Sequence, residues 1–146
     1  MLKINLVAVG KVKEKYFSLG IEEYAKRLGR FCEFTITEVA EEPTVEREGK
    51  NILPKLRGAV FAFAIEGKKY SSEQFAAKIQ KLKDRGVGEI TFVIGGSCGL
   101  SSEVKLKADE LISFSDMTFP HTLFRLMCVE QIYRAMTINS GVTYHK

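Results

Sequence analysis

Residues able to move a proton near neutral pH are scarce in this chain of 146 residues, which holds two histidines, His121 and His145. Histidine is the side chain whose ordinary titration falls in that range. His145 lies in the C-terminal run Tyr144-His145-Lys146, which sets an aromatic ring, an imidazole and a cation side by side. The imidazole could transfer a proton. For His145 taken alone, a frayed chain end is the favoured reading. Upstream, Glu130 and Arg134 are four residues apart and can pair on one helix face. That pair suits stabilisation of an anion, and it also suits a salt bridge at an interface.

A second candidate is the stretch Phe92-Val93-Ile94-Gly95-Gly96-Ser97-Cys98-Gly99-Leu100-Ser101-Ser102-Glu103. Its apolar start, from Ile90 to Ile94, predicts a buried strand. Three glycines then form a loop, and Ser101 or Ser102 can cap a helix that carries Glu103 in its first turn. A strand, a glycine loop and a helix start place a ligand over the C-terminal edge of a parallel sheet. Glycine lets such a ligand approach the backbone. The spacing is not G-x-G-x-x-G and no phosphate-loop lysine follows. A tight strand-to-helix turn is the plain alternative.

These residues must be positioned by the rest of the chain. Strands are predicted over Leu2–Val9, Phe34–Val39, Ala59–Ile65, Ile90–Ile94 and Leu111–Phe114. The strand from Ala59 is expected to give way to a loop at Glu66-Gly67-Lys68. Helices are predicted over Glu14–Gly29, Val45–Leu56, from the capping box of Ser71 and Gln74, over Ser102–Ala108, and over His121–Asn139. Pro54 inside the second pattern requires a kink or a restart. Lys11, Lys13 and Lys15 after Gly10 could meet phosphate or form a solvated loop. Strands alternating with helices predict an α/β protein with a mainly parallel sheet. Three loops, after Ile65, Ile94 and Phe114, could converge on one site. The last helix is apolar nearly all round, so it should be buried on more than one side. A second subunit is the expected partner, with Cys128 and Ile132 as candidate contacts.

Composition sets the bounds. At 45% hydrophobic and 27% charged, with net charge +4, the chain reads as one soluble globular domain. The charge permits contact with nucleic acid without demanding it. No apolar run reaches membrane-spanning length, and no signal-peptide pattern opens the chain. Cys32, Cys98 and Cys128 are odd in number and widely spaced, which suggests neither a zinc site nor a disulfide framework. A reducing, cytoplasmic setting fits them.

The chain resembles the ribosomal RNA large-subunit methyltransferase H family, a branch of the SPOUT methyltransferases. The likeness rests on Val9-Gly10-Lys11, Ile65-Glu66-Gly67-Lys68 and the glycine loop. It rests most specifically on Phe114-Ser115-Asp116-Met117-Thr118-Phe119-Pro120-His121, Glu130-Gln131-Ile132-Tyr133-Arg134-Ala135 and Tyr144-His145-Lys146. It covers essentially the whole chain. Thr143, where a proline often precedes the Tyr-His pair, and Pro54 depart from the pattern.

The resemblance implies transfer of a methyl group from S-adenosylmethionine to N3 of a pseudouridine in 23S rRNA of the assembled ribosome. It implies a homodimer, no metal, and a trefoil knot over roughly residues 60–146. Phe63, Gly95, Phe114, Ser115, Asp116, Met117, Thr118 and Phe119 would bind the cofactor. The catalytic candidates are His145 for proton transfer, Arg134 for anion stabilisation, Glu130 to orient Arg134, and Tyr144 to stack on the base. His121 is the fallback. Methyl transfer from a sulfonium needs in-line positioning and a deprotonated nucleophile. A SPOUT enzyme with another RNA target, or a non-catalytic RNA-binding module, are the other classes open at this point.

Overall fold

A computed structural model describes all residues from Met1 to Lys146. Five parallel strands form one sheet in the order β2-β1-β4-β3-β5. They are β1 (Lys3–Val9), β2 (Glu33–Val39), β3 (Ala59–Lys69), β4 (Glu89–Ile94) and β5 (Glu110–Ser113). The helices are α1 (Lys15–Leu28), α2 (Val45–Ile52), α3 (Ser72–Asp84), α4 (Ser102–Lys107) and α5 (His121–Ser140). The expected α/β architecture is present.

The near-continuous apolar runs of the inner strands follow from burial on both faces. Side chains alternate across a strand, so each inner strand feeds two cores. Ile4, Leu6, Phe61, Phe63, Ile90 and Phe92 enter a cluster of 22 buried residues shared with α1, α3 and α5. Val7, Val9, Val60, Ala62 and Val93 enter a second cluster of nine, beside Ile52 of α2 and Val104 of α4.

Three expectations change. First, β3 does not stop at Ile65. It continues to Lys69, and Phe63 and Lys68 both register with Ile112 of β5. Residues 64–67 form the bulge between them. Gly67 permits it, because a Cβ there would stand 2.6 Å from the backbone nitrogen of Ile112. The polar, glycine-containing segment looks like a loop in sequence, yet it is held as a bulged strand by its neighbour. Second, the helix from Val45 ends at Ile52 and not at Leu56; of the two expectations for Pro54 the restart holds, in a following 3-10 turn, Leu53–Lys55. The proline therefore falls at a fresh start, where its missing N–H costs nothing.

Third, α5 is apolar all round largely because its own chain covers it. It packs against α1 and α3. Cys128 and Ile132 have no exposed surface, so they are core residues and not contacts with a second subunit. Arg125 is also buried. It donates to Glu38 at 2.5 Å and to the carbonyl of Gly10 at 3.0 Å, fastening α5 to the C-terminal end of β1. No helix is long and apolar enough to cross a membrane.

Candidate active site

The C-terminal edge of the sheet carries a pocket. Its walls come from the bulge of β3 (Phe63, Ala64, Ile65), the end of β4 and its glycine loop (Ile94, Gly95, Gly96, Gly99), the segment after β5, and the start of α5 (His121, Phe124). Four phenylalanines interlock here. Phe63 meets Phe114 and Phe124 edge to face at 5.1 Å each, Phe114 lies 4.9 Å from Phe124, and Phe119 stacks on Phe124 at 6.2 Å. Such contacts fix ring positions beyond what burial alone would do.

The glycine loop doubles back on itself. The N–H of Gly99 donates to the carbonyl of Gly96 at 3.0 Å, and Gly99 has φ +84°. A Cβ on Gly95 would stand 2.5 Å from the carbonyl oxygen of Gly99, so the position admits no side chain. Ser101 then caps α4 by accepting from the N–H of Val104. On the opposite wall the hydroxyl of Ser113 donates to the carbonyl of Ser115, and the N–H of Met117 donates to the Ser115 hydroxyl.

Of the eight residues expected to bind the cofactor, Phe63, Gly95, Phe114, Ser115, Met117, Thr118 and Phe119 line this pocket. Asp116 does not. Its side chain points outward and pairs with Lys69 at 2.5 Å. Phe124 and Ala64 were not foreseen. Phe124 comes one turn into a helix read only as core, and its spacing of three from His121 is the one sequence cue.

The second constellation lies farther along α5. Arg134 sits over Glu130 and donates to its Oε2 through Nη2 at 2.7 Å and Nε at 3.1 Å. Its Nη1 donates to Nδ1 of His145 at 2.9 Å. An arginine can only donate, so Nδ1 carries the lone pair and Nε2 the proton. That proton is donated to Glu73 of α3 at 2.5 Å, and this hydrogen bond holds the Glu73 carboxyl below its usual range. Tyr144 donates to Glu130 at 2.8 Å, so the hydroxyl of Tyr24, at 3.2 Å, donates to Tyr144. Burial first, then these two hydrogen bonds, push the Tyr144 phenol well above its ordinary value. The guanidinium of Arg134 lies 5.0 Å over the Tyr144 ring, whose edge packs on Tyr133.

The chain end is thus docked by side chains on three elements. Tyr144 acts as its anchor, with the hydroxyl and ring both engaged. Arg134 raises no demand that Glu130 alone must meet. Five N–H groups leave it two free after its three bonds, and its carboxylate partner keeps it firmly charged. Glu73 and Tyr24 were absent from the sequence reading, because nothing local links residues 24, 73 and 145.

Along α5 the two constellations stand apart: Phe124, the last helix residue lining the pocket, lies ten residues before Arg134, about 15 Å at 1.5 Å per residue. No group of three or more His, Cys, Asp or Glu side chains is placed to hold a metal ion.

Comparison with known proteins gives the family. Residues 2–145 match the family model "Predicted SPOUT methyltransferase". The chain is 52% identical to the ribosomal RNA large subunit methyltransferase H of Limosilactobacillus reuteri, over 99% of this chain and 100% of that one. It is 49% identical to the protein of the same name from Streptococcus thermophilus, with the same coverage. Among solved structures, a probable methylase family protein from Haemophilus influenzae superimposes with a TM-score of 0.57 at 14% identity, over 99% of this chain and 70% of that one. That last likeness concerns the fold. The family-model match over residues 2–145 and half-identity over the full length lead to one assignment: the chain belongs to the SPOUT methyltransferases, within the ribosomal RNA large-subunit methyltransferase H family.

Proposed function

We propose that this methyltransferase modifies N3 of a pseudouridine in 23S rRNA of the assembled ribosome, in the cytoplasm, as a homodimer whose active site is shared between subunits. The observation that carries the reading is the separation of pocket and tail cluster on one helix. A pyrimidine ring is far shorter than about 15 Å, so a base in contact with His145 does not reach the pocket of the same chain.

A second copy closes that distance. The half-buried Leu123, Leu126 and Met127 of α5 and the exposed Tyr16 and Leu19 of α1, which packs against it, are apolar surface that the chain itself leaves uncovered. A two-fold interface pairs the same surface on both copies. Antiparallel α5 helices centred between residues 125 and 127 bring the mouth of one pocket opposite roughly residues 129–133 of the other chain. The supports for a knot over residues 60–146 are the outer position of β5 beside β3 and the family likeness.

The pocket residues fit S-adenosylmethionine. The phenylalanines offer flat apolar walls to an adenosyl group, and Gly95, packed against the Gly99 carbonyl, lines the pocket with backbone alone. When bound, the cofactor supplies an electrophilic methyl group on a sulfonium. The chain's own residues handle the proton. The N3–H of a pseudouridine is weakly acidic, and its loss leaves an imide anion. The two free N–H groups of Arg134 can hold that anion, and turning Nη1 toward it uncovers Nδ1 of His145 as the proton acceptor. Glu73 then faces the imidazolium formed. Glu130 keeps Arg134 in plane, and Tyr144 keeps the tail in place.

Complementation tests the reading. Gly95→Val lacks a working pocket, and the chain lacking residues 144–146 has no tail. Each alone should be inactive on ribosomes, and their mixture should regain activity through heterodimers with one intact site. A mixture that stays inactive while the unmodified protein methylates ribosomes would place the whole site in one chain. Mass spectrometry of the product should find the methyl group on N3, and free tRNA should not be a substrate.

A further inference from the structure

Beside the tail cluster lies a groove of about 560 Å³, within the range of ligand cavities and ample for one nucleobase. Tyr24 and Tyr70 stand on its walls, Phe114 closes the end toward the pocket, and Leu126 and Met127 border its mouth. Its polar edge is a chain of three side chains. The hydroxyl of Ser72 donates to Oε1 of Gln131 at 2.9 Å, and Nε2 of Gln131 donates to Oε1 of Glu130 at 2.9 Å. A carboxylate only accepts, so Glu130 fixes which end of the Gln131 amide is nitrogen. The carboxamide is held from both ends and half-exposed to the groove. Each end keeps unused capacity: one lone pair on Oε1 and one N–H on Nε2.

We propose that this groove receives the target base, and that Gln131 is the residue that distinguishes pseudouridine from uridine. The inference rests on the rRNA reading above. In pseudouridine the glycosidic bond is to carbon, which leaves N1–H free beside the C2 carbonyl. That donor–acceptor pair matches the acceptor–donor pair of a carboxamide, giving two parallel hydrogen bonds. N3–H lies on the far side of the C2 carbonyl and stays free for proton removal. In uridine N1 carries the sugar. Turned to present its other edge, uridine offers a C–H where the donor should be, and the Gln131 oxygen loses its partner. A site built to bond an N–H rejects an analogue without it far more strongly than a pocket that reads shape alone. The aromatic walls supply sequence-tolerant stacking, so the discrimination falls to the amide.

The test compares ribosomes carrying pseudouridine at the target with ribosomes carrying uridine there, for the dimeric full-length protein. The unmodified protein should favour pseudouridine by roughly 100-fold or more in kcat/KM. Gln131→Met, which keeps length and loses both hydrogen bonds, should lower that ratio by ~10–100-fold, mainly through loss of rate on pseudouridine. Ser72→Ala leaves the capping box of Ser71 and Gln74 intact and frees one end of the amide, so it should lower the ratio by a smaller factor. Cofactor affinity by calorimetry should not change in either variant. A ratio that survives in Gln131→Met, or equal losses on both templates, would overturn the assignment. Should Gln131→Met fail to fold, an unchanged ratio in Ser72→Ala overturns it instead. An unmodified protein that methylates neither ribosome would overturn the rRNA reading and this one together.

Discussion

The pocket and the tail cluster sit on the same helix and are made of different materials. The pocket is backbone and apolar surface: a glycine that admits no Cβ, serines that tie down loops, and four interlocked rings. The cluster is built from side-chain hydrogen bonds among Tyr24, Glu73, Glu130, Arg134, Tyr144 and His145, drawn from three helices and the chain end. A backbone-built site holds a ligand of fixed shape and changes little on binding. A network of long charged side chains can exchange partners, which proton transfer requires. Damage to the first should therefore act on binding, and damage to the second on rate.

The sharpest break in that contrast is Gly95→Val. The new side chain collides with the carbonyl of Gly99, and calorimetry should detect no cofactor binding while the circular dichroism spectrum stays native. Binding that persists would move the cofactor away from the glycine loop. Next in size is removal of Tyr144-His145-Lys146. Cofactor affinity should stay within twofold, while single-turnover methylation of ribosomes falls ~10²–10⁴-fold, the usual worth of general acid–base catalysis. A truncated protein that keeps most of its rate would leave the tail with no chemical part.

A smaller effect concerns the anchor. The Tyr144 phenol is raised above its ordinary value of 10.0. A raised group stabilises the fold at every pH below its unfolded value, and that contribution is lost only as pH rises through the folded one. The docked tail should thus be indifferent to alkali until beyond pH 10, and Tyr144→Phe should remove one of the two late tyrosine transitions in an ultraviolet titration, the other being that of Tyr70. An unchanged titration would mean that the ring is free in solution. At the lower end stands Asp116→Asn. Its ion pair with Lys69 is exposed, and such pairs contribute ~0–1 kcal/mol. Cofactor affinity should not move measurably, and a tenfold loss would return Asp116 to the pocket.

Much of the scaffold could be read from short stretches. The capping box of Ser71 and Gln74 forms as expected, as does the Ser101 cap after the glycine loop. These features involve residues three or four apart, and their chemistry is complete within that span. The segment Glu66-Gly67-Lys68 misleads for the opposite reason. Its composition is that of a loop, but it is a bulge inside a strand that resumes at Lys68 by pairing with Ile112 of β5, more than forty residues later. The apolar surround of α5 was legible as burial, while the identity of the covering element was not. Cys128 and Ile132 face the chain's own core, and hydropathy carries no label for self or partner.

The site divides along the same line. Residue types such as His145, the Glu130–Arg134 spacing and the glycine loop stand in the one-dimensional chain, and with them the class of chemistry. Which of them meet is another matter. Glu73 reaches His145 across 72 positions, and Tyr24 reaches Tyr144 across 120. Asp116 leaves the pocket although both its neighbours line it. Spacing governs contact only within a helical turn or a strand pair. Beyond that range, contact follows from how the parallel sheet orders its strands and how α5 packs between α1 and α3, so the tautomer of His145 and the separation of tail from pocket exist only once the chain is folded.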